Sequence, residues 1–260
     1  MDTSLKNLLN QKAKQYNHPD FIAKDPIVIP HQFSTLQDIE IAGFFAAILA
    51  WGNRTSIINN TNKIMAWMDE APYQFILQHQ ESDLKKMLHF AHRTFNATDL
   101  LYVIQFFKVH YSQYNSLQDA FVKEQKYTEI NTEKALIHFH NYFFSLEDFP
   151  ERTKKHIATP ARKSACKRLN MYLRWMVRKD EMGVDFGLWK KINPSQLICP
   201  LDVHVANVAH RFGLLPNTNS NWQNAVALTQ QLKALNEKDP SQYDYALFGL
   251  GAEERFKGIK

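Results

Sequence analysis

Apolar positions along the chain recur at three- and four-residue spacing, and hardly any stretch alternates β-branched with polar residues over strand length. Glycine, at 8 residues, is scarce. The pattern predicts an all-α fold with helices over 3–16, 35–51, 55–69, 72–79, 98–113, 131–145, 163–179, 202–212, 222–236 and 240–249, joined by short turns containing Pro, Asn or Asp. The helix over 35–51 has Ser34 as its candidate N-cap and Gln37 at the capping-box position. It carries Ile41, Phe44, Phe45, Ile48 and Leu49 at helical spacing, so it is expected to be central. The helix over 202–212 follows Pro200, takes Asp202 as N-cap, buries Val205, Val208 and Phe212, and stops at Gly213. The most apolar run, Ile41 to Trp51, is far shorter than the ~20 residues needed to span a bilayer and reads as a core helix.

With 260 residues, 45% of them hydrophobic, the chain can bury a sizeable core. No internal repeat, low-complexity tract or long linker interrupts it. The expected organisation is a single helical unit of two lobes, one over about 35–125 and the other formed by 1–34 with 126–260. Cys166 and Cys199 are its two cysteines, and the N-terminal region has no apolar h-segment. Neither a disulfide framework nor a secretory signal is indicated, and the expected location is cytoplasmic, away from membranes.

The formal net charge of +5 is unevenly spread. Between Glu151 and Lys179 the chain has ten Lys or Arg and one acid. On a helical wheel, Lys163, Lys167, Asn170, Arg174 and Arg178 fall within a stripe about 80° wide. Leu169, Tyr172, Leu173, Met176 and Val177 form the adjoining apolar face. Such a stripe serves either as a solvated face or as a phosphate-binding surface. A lysine among Arg174, Arg168 and Lys163 feels like-charge repulsion, which enlarges the neutral fraction able to act as a nucleophile. The plainer reading of Lys167 is a phosphate contact or a snorkelling side chain.

Cys166-Lys167-Arg168-Leu169-Asn170-Met171-Tyr172-Leu173-Arg174 resembles the segment that follows the hairpin in the 8-oxoguanine branch of the helix-hairpin-helix (HhH-GPD) DNA glycosylases. The stretch Pro200 to Leu214 resembles the superfamily's segment in which an Asp opens a helix. Ala46 to Met65 is similar to its early helix pair, with Trp51 to Arg54 at the position of the loop that wedges the duplex. More narrowly, the chain resembles a bacterial family of uncharacterised proteins carrying SACKRLNMYLRWMVR, VDFGLW and PLDVHV.

The superfamily resemblance implies a two-lobed helical DNA glycosylase fold acting on duplex DNA with a damaged or abasic nucleotide. Lys167 would be the Schiff-base nucleophile of a glycosylase with AP-lyase activity, and Asp202 the catalytic aspartate. Arg162, Lys163, Arg168, Arg174, Arg178, Asn53 and Arg54 would hold the nucleic acid, while Trp51, Trp175 and Trp189 are either stacking partners for a base or core residues.

The chain departs from the superfamily at two places. The hairpin stretch Ala161-Arg162-Lys163-Ser164-Ala165 has none of the usual glycines, and an insertion around Met182 to Leu197 leaves Lys167 and Asp202 35 residues apart. Two cysteines cannot supply the four thiolates of an iron–sulfur cluster, and His138 and His140 fall on different helical faces, so neither cofactor nor metal is expected. The alternatives to an enzyme are a catalytically silent nucleic-acid binder of the same fold and a helical protein-interaction module.

Overall fold

The computed structural model describes residues 3–254, and regular structure among them is almost entirely helical. The α-helices are α1 (Thr3–Tyr16), α2 (Pro19–Ile22), α3 (Leu36–Ile48), α4 (Arg54–Trp67), α5 (Pro72–Gln78), α6 (Glu81–Leu84), α7 (Ala97–Tyr111), α8 (Gln118–Phe121), α9 (Glu133–Phe143), α10 (Lys167–Val177), α11 (Val203–Arg211), α12 (Trp222–Lys233) and α13 (Tyr243–Phe248). One small hairpin, β1 (Ala91–His92) and β2 (Phe95–Asn96), pairs antiparallel around a turn that holds Arg93 at φ 56°. Strands of two residues are too short to leave a periodic signature. None of the described helices is long and apolar enough to cross a membrane.

The chain divides into two compact units. The first comprises residues up to Phe21, Lys126–Leu136, and the chain from Thr159 onward; the second comprises Ile22–Gln125 and Ile137–Ala158. The sequence reading grouped 22–34 and 137–158 with the lobe of Lys167, whereas both segments pack in the second unit. Residues 1–2 and 255–260 of the expected lobes lie outside the described residues.

In the second unit, α3 is buried continuously from Ile39 to Ile48, apolar on every side except at Glu40. Its N-cap is Thr35 and not Ser34. Thr35 Oγ1 donates to Asp38 Oδ2, and Asp38 Oδ1 accepts the Tyr73 N–H at 2.9 Å. Gln37 turns away from the cap and donates to the Asn115 carbonyl at 2.8 Å. Aromatic rings fill the interior around α3: Phe44 meets Phe107 edge to face at 5.3 Å, and Phe121 stacks on Phe139 at 4.1 Å. The wholly buried Glu40 is saturated by three donors, Tyr111 Oη at 2.9 Å, Ser116 Oγ at 2.5 Å and the Leu117 N–H at 2.9 Å.

In the first unit α1 packs chiefly on α13. A side chain at Gly249 would bring its Cβ within 2.2 Å of the Tyr16 ring, so the close approach of the two segments requires glycine there. The helix expected over 163–179 starts late, at Lys167, because Lys163 (φ 60°) and Cys166 (φ 49°) both take left-handed backbone that a helix cannot include. Residues 182–197 lie along the far end of this helix, with the Phe186 and Trp189 amides donating to the Trp175 and Met176 carbonyls at 2.8 Å.

Candidate active site

The segment leading into α10 is held by its own turn and by the start of α12. Thr159 Oγ1 caps the 3-10 turn Pro160–Arg162, the Trp222 N–H donates to the Lys163 carbonyl at 3.0 Å, and Ser164 bridges to Asn221. Asn170 then reaches back from α10 to the Ala165 carbonyl at 3.0 Å. Lys167 is thereby set on the first turn of α10. Asp202 occupies the N-cap of α11 and accepts the Val205 N–H on Oδ1 at 2.9 Å. Its second oxygen, Oδ2, lies 3.8 Å from Lys167 Nζ. The two side chains are 27% and 22% exposed, so solvent and solutes reach the pair. Phe248 stands beside it, its ring centroid 6.0 Å from Nζ.

The like charges expected around Lys167 are otherwise engaged. Arg174 (5% exposed) reaches Asp185 through Nε at 3.3 Å and Asp244 through Nη1. Arg178 (3% exposed) meets Asp180 at 2.6 Å, Asp185 at 2.9 Å and Asp239 at 2.8 Å. A guanidinium enclosed by carboxylates is turned away from a phosphate, so Arg174 and Arg178 are not placed to hold a nucleic acid. The helical stripe that joined them to Lys167 is an internal face. Arg168 is half-buried, and burial pushes its guanidinium down to about 10, still charged at neutral pH. Arg162 and Lys163 are exposed.

Four aspartates therefore share two arginines. Burial pushes the Asp244 carboxyl up to about 6, with Arg174 and Lys167 pulling it down and Asp202 and Asp185 adding to the rise. Burial also raises Asp239, against the pull of Arg178. Burial lifts both cysteine thiols, Cys166 to about 12, so neither is a nucleophile at neutral pH. Asp244 was not singled out from the sequence. The signal available was an acid between Tyr243 and Tyr245 in a helix otherwise apolar. Asp185 stands in the VDFGLW segment, but nothing in that segment marks it as a partner of Arg174 and Arg178.

Trp175 and Trp189 are buried completely or nearly so, Trp189 against Tyr172 at 5.4 Å edge to face, and they are core residues rather than base platforms. Trp51, Asn53 and Arg54 belong to the second unit. There Asn53 caps α4 by accepting the Ser56 N–H at 3.1 Å, and Arg54 is half-buried at the helix start. Trp51 is also half-buried, with Arg93 over its ring at 4.9 Å and His92 at its edge at 6.1 Å. Among the described residues no group of three or more His, Cys, Asp or Glu is placed to hold a metal ion.

No curated protein and no solved structure matches the chain. A family described as protein of unknown function (DUF2400) matches residues 25–253, and the chain belongs to that family.

Proposed function

We propose that the protein is a lysine-dependent DNA glycosylase with AP-lyase activity, of the helix-hairpin-helix type, acting on duplex DNA at a damaged or abasic nucleotide. The observation that carries this reading is the pairing of a partly exposed Lys167 Nζ with Asp202 Oδ2 at 3.8 Å, each on the first turn or cap of its own helix. Asp202 divides its labour: Oδ1 stays on the Val205 amide while Oδ2 takes the lysine proton. The freed amine attacks C1′ of an extruded nucleotide as the glycosidic bond breaks, and the base leaves with the bonding pair. Opening of the sugar ring gives a Schiff base. Loss of a C2′ proton then expels the 3′ phosphate by β-elimination, and water releases the lysine. Arg162 and Lys163, exposed and five and four residues before Lys167, suit the flanking phosphates. The left-handed backbone at Lys163 is a second support, since it places a glycine-like bend inside the hairpin stretch although the residue is lysine.

Borohydride trapping on duplexes containing an abasic site or 8-oxoguanine tests the reading. Wild type should form a covalent adduct that Lys167→Ala abolishes. Asp202→Asn keeps an N-capping oxygen and should slow trapping by about 10²–10⁴-fold. Absence of an adduct on every duplex would overturn the enzyme. The glycine-free hairpin favours a second reading, a silent nucleic-acid binder, which would show salt-sensitive DNA binding without any adduct.

A further inference from the structure

The two segments that deliver Lys167 and Asp202 are irregular just before each residue enters its helix. Residues 163–166 include two in left-handed backbone, and residues 198–202 carry neither helix nor strand. No helical repeat or ladder fixes such segments, so their positions are set by what they are tied to.

Both are tied to one piece of chain, the loop 217–221 and the first two turns of α12. On the lysine side, the Trp222 N–H donates to the Lys163 carbonyl at 3.0 Å, and Asn221 pairs with Ser164. On the aspartate side, Ser220 Oγ donates to the Leu201 carbonyl at 2.8 Å, one residue before Asp202, and Thr229 Oγ1 accepts the Cys199 N–H at 3.0 Å. A carbonyl only accepts, so the Ser220 hydroxyl is the donor.

The loop is itself held. Asn224, 6% exposed on α12, donates from Nδ2 to Asn217 Oδ1 and to the Asn219 carbonyl, each at 2.8 Å. Asn221 caps α12 by accepting the Asn224 N–H at 2.9 Å. Ser220 is therefore flanked by fixed neighbours although it is exposed. Removing the hydroxyl of an exposed residue leaves no internal cavity, so its effect on Asp202 is separable from folding.

We propose that Ser220 is a positioning residue for the Lys167–Asp202 pair, acting through the Leu201 carbonyl to hold the Asp202 carboxylate at its distance from Nζ, on a base that α12 shares with the lysine segment. The consequence for turnover rests on the reading of this pair as catalytic, whereas the geometry is measurable without any reaction.

Acetylation of the full chain by N-acetoxysuccinimide, read by peptide mass spectrometry, compares Lys167 with Lys6, which is exposed on α1. A paired ammonium must leave its carboxylate before it is acylated. Asp202→Asn should therefore raise the Lys167 to Lys6 ratio by up to about fivefold, the weight of a part-exposed pair. Ser220→Ala should raise the same ratio about twofold, and Ser220→Thr, which restores the hydroxyl, should return it to the wild-type value. On a duplex with an abasic site, Ser220→Ala should slow borohydride trapping about tenfold at unchanged duplex affinity, because displacing a reacting group costs rate rather than binding. An unaltered acetylation ratio in folded Ser220→Ala would overturn the proposal, as would a rise that Ser220→Thr fails to reverse. If no duplex is trapped and the ratio still responds, the glycosylase falls and the positioning role stands.

Discussion

The two units bury their carboxylates in opposite ways. In the second unit each buried acid has its own set of donors. Glu40 has three, and Asp99 is held by Arg152, by Thr153 Oγ1 at 2.7 Å and by the Asn96 N–H at 2.9 Å. Burial alone would raise the Asp99 carboxyl, yet the His156 ring and the Asn96 and Thr153 donors outweigh it and hold it below the usual range. In the first unit four aspartates share Arg174 and Arg178: burial raises Asp244 and Asp239, whereas Arg178, Asn17 and the Met182 N–H outweigh burial at Asp180 and hold it down. Both arrangements anchor helices. The shared one also leaves protonation poised beside Lys167, which is where chemistry is proposed.

The strongest blow to the comparison is Arg174→Leu. It should strand Asp185 and Asp244 as buried charges lacking one guanidinium and lower stability by about 3–5 kcal/mol in urea denaturation. A loss below about 1 kcal/mol would mean that the network contributes little, as for an exposed pair. The next test is pH. Because the folded pKa of Asp244 lies above its ordinary value of 3.8, the folded state binds the extra proton between about pH 4 and 6. Stability from this group is therefore complete below that window and falls as pH rises through it, by up to about 3 kcal/mol. Asp244→Asn should flatten that limb of the stability–pH curve, and an unaltered limb would assign the slope elsewhere. Asp99 has the reverse sign, with stability present above its ordinary pKa and lost as pH falls below it. Asp99→Asn should remove only that acid limb, the smallest of the three effects, leaving the slope between pH 4 and 6 in place.

Much of the fold was legible locally. The span 3–16 was read as it stands in α1, and α11 lies between the Asp202 cap and Gly213 as expected, because caps and helical period are short-range signals. The start of α3 moved by one residue because Thr35 and Asp38 engage each other, a choice between adjacent hydroxyls that composition cannot make. The start of α10 moved by four because left-handed backbone at Lys163 and Cys166 is unusual for those residue types. The basic block was the larger misreading. Its window closed at Lys179, one residue before Asp180, and its other partners lie at Asp185, Asp239 and Asp244. A guanidinium whose carboxylates come from elsewhere in the chain looks the same in sequence as one facing solvent. Lys167 and Asp202 were legible as individual residues from the resemblance, but their 3.8 Å approach depends on how α10 and α11 pack.

The glycine that admits Tyr16 against α13 has a consequence for the order in which the molecule can be made. During synthesis the principal partner of α1, Tyr243–Phe248, follows it by more than two hundred residues, roughly ten to fifty seconds at ordinary elongation rates. The second unit ends at Ala158, so all of its residues are made before α13 is. The unit holding Lys167 and Asp202 cannot be completed until α13 arrives to cover Leu9 and Ala13. A nascent chain stalled before that point would hold Lys167 and Asp202 on an unfinished scaffold, so the geometry of this pair waits on the synthesis of α13.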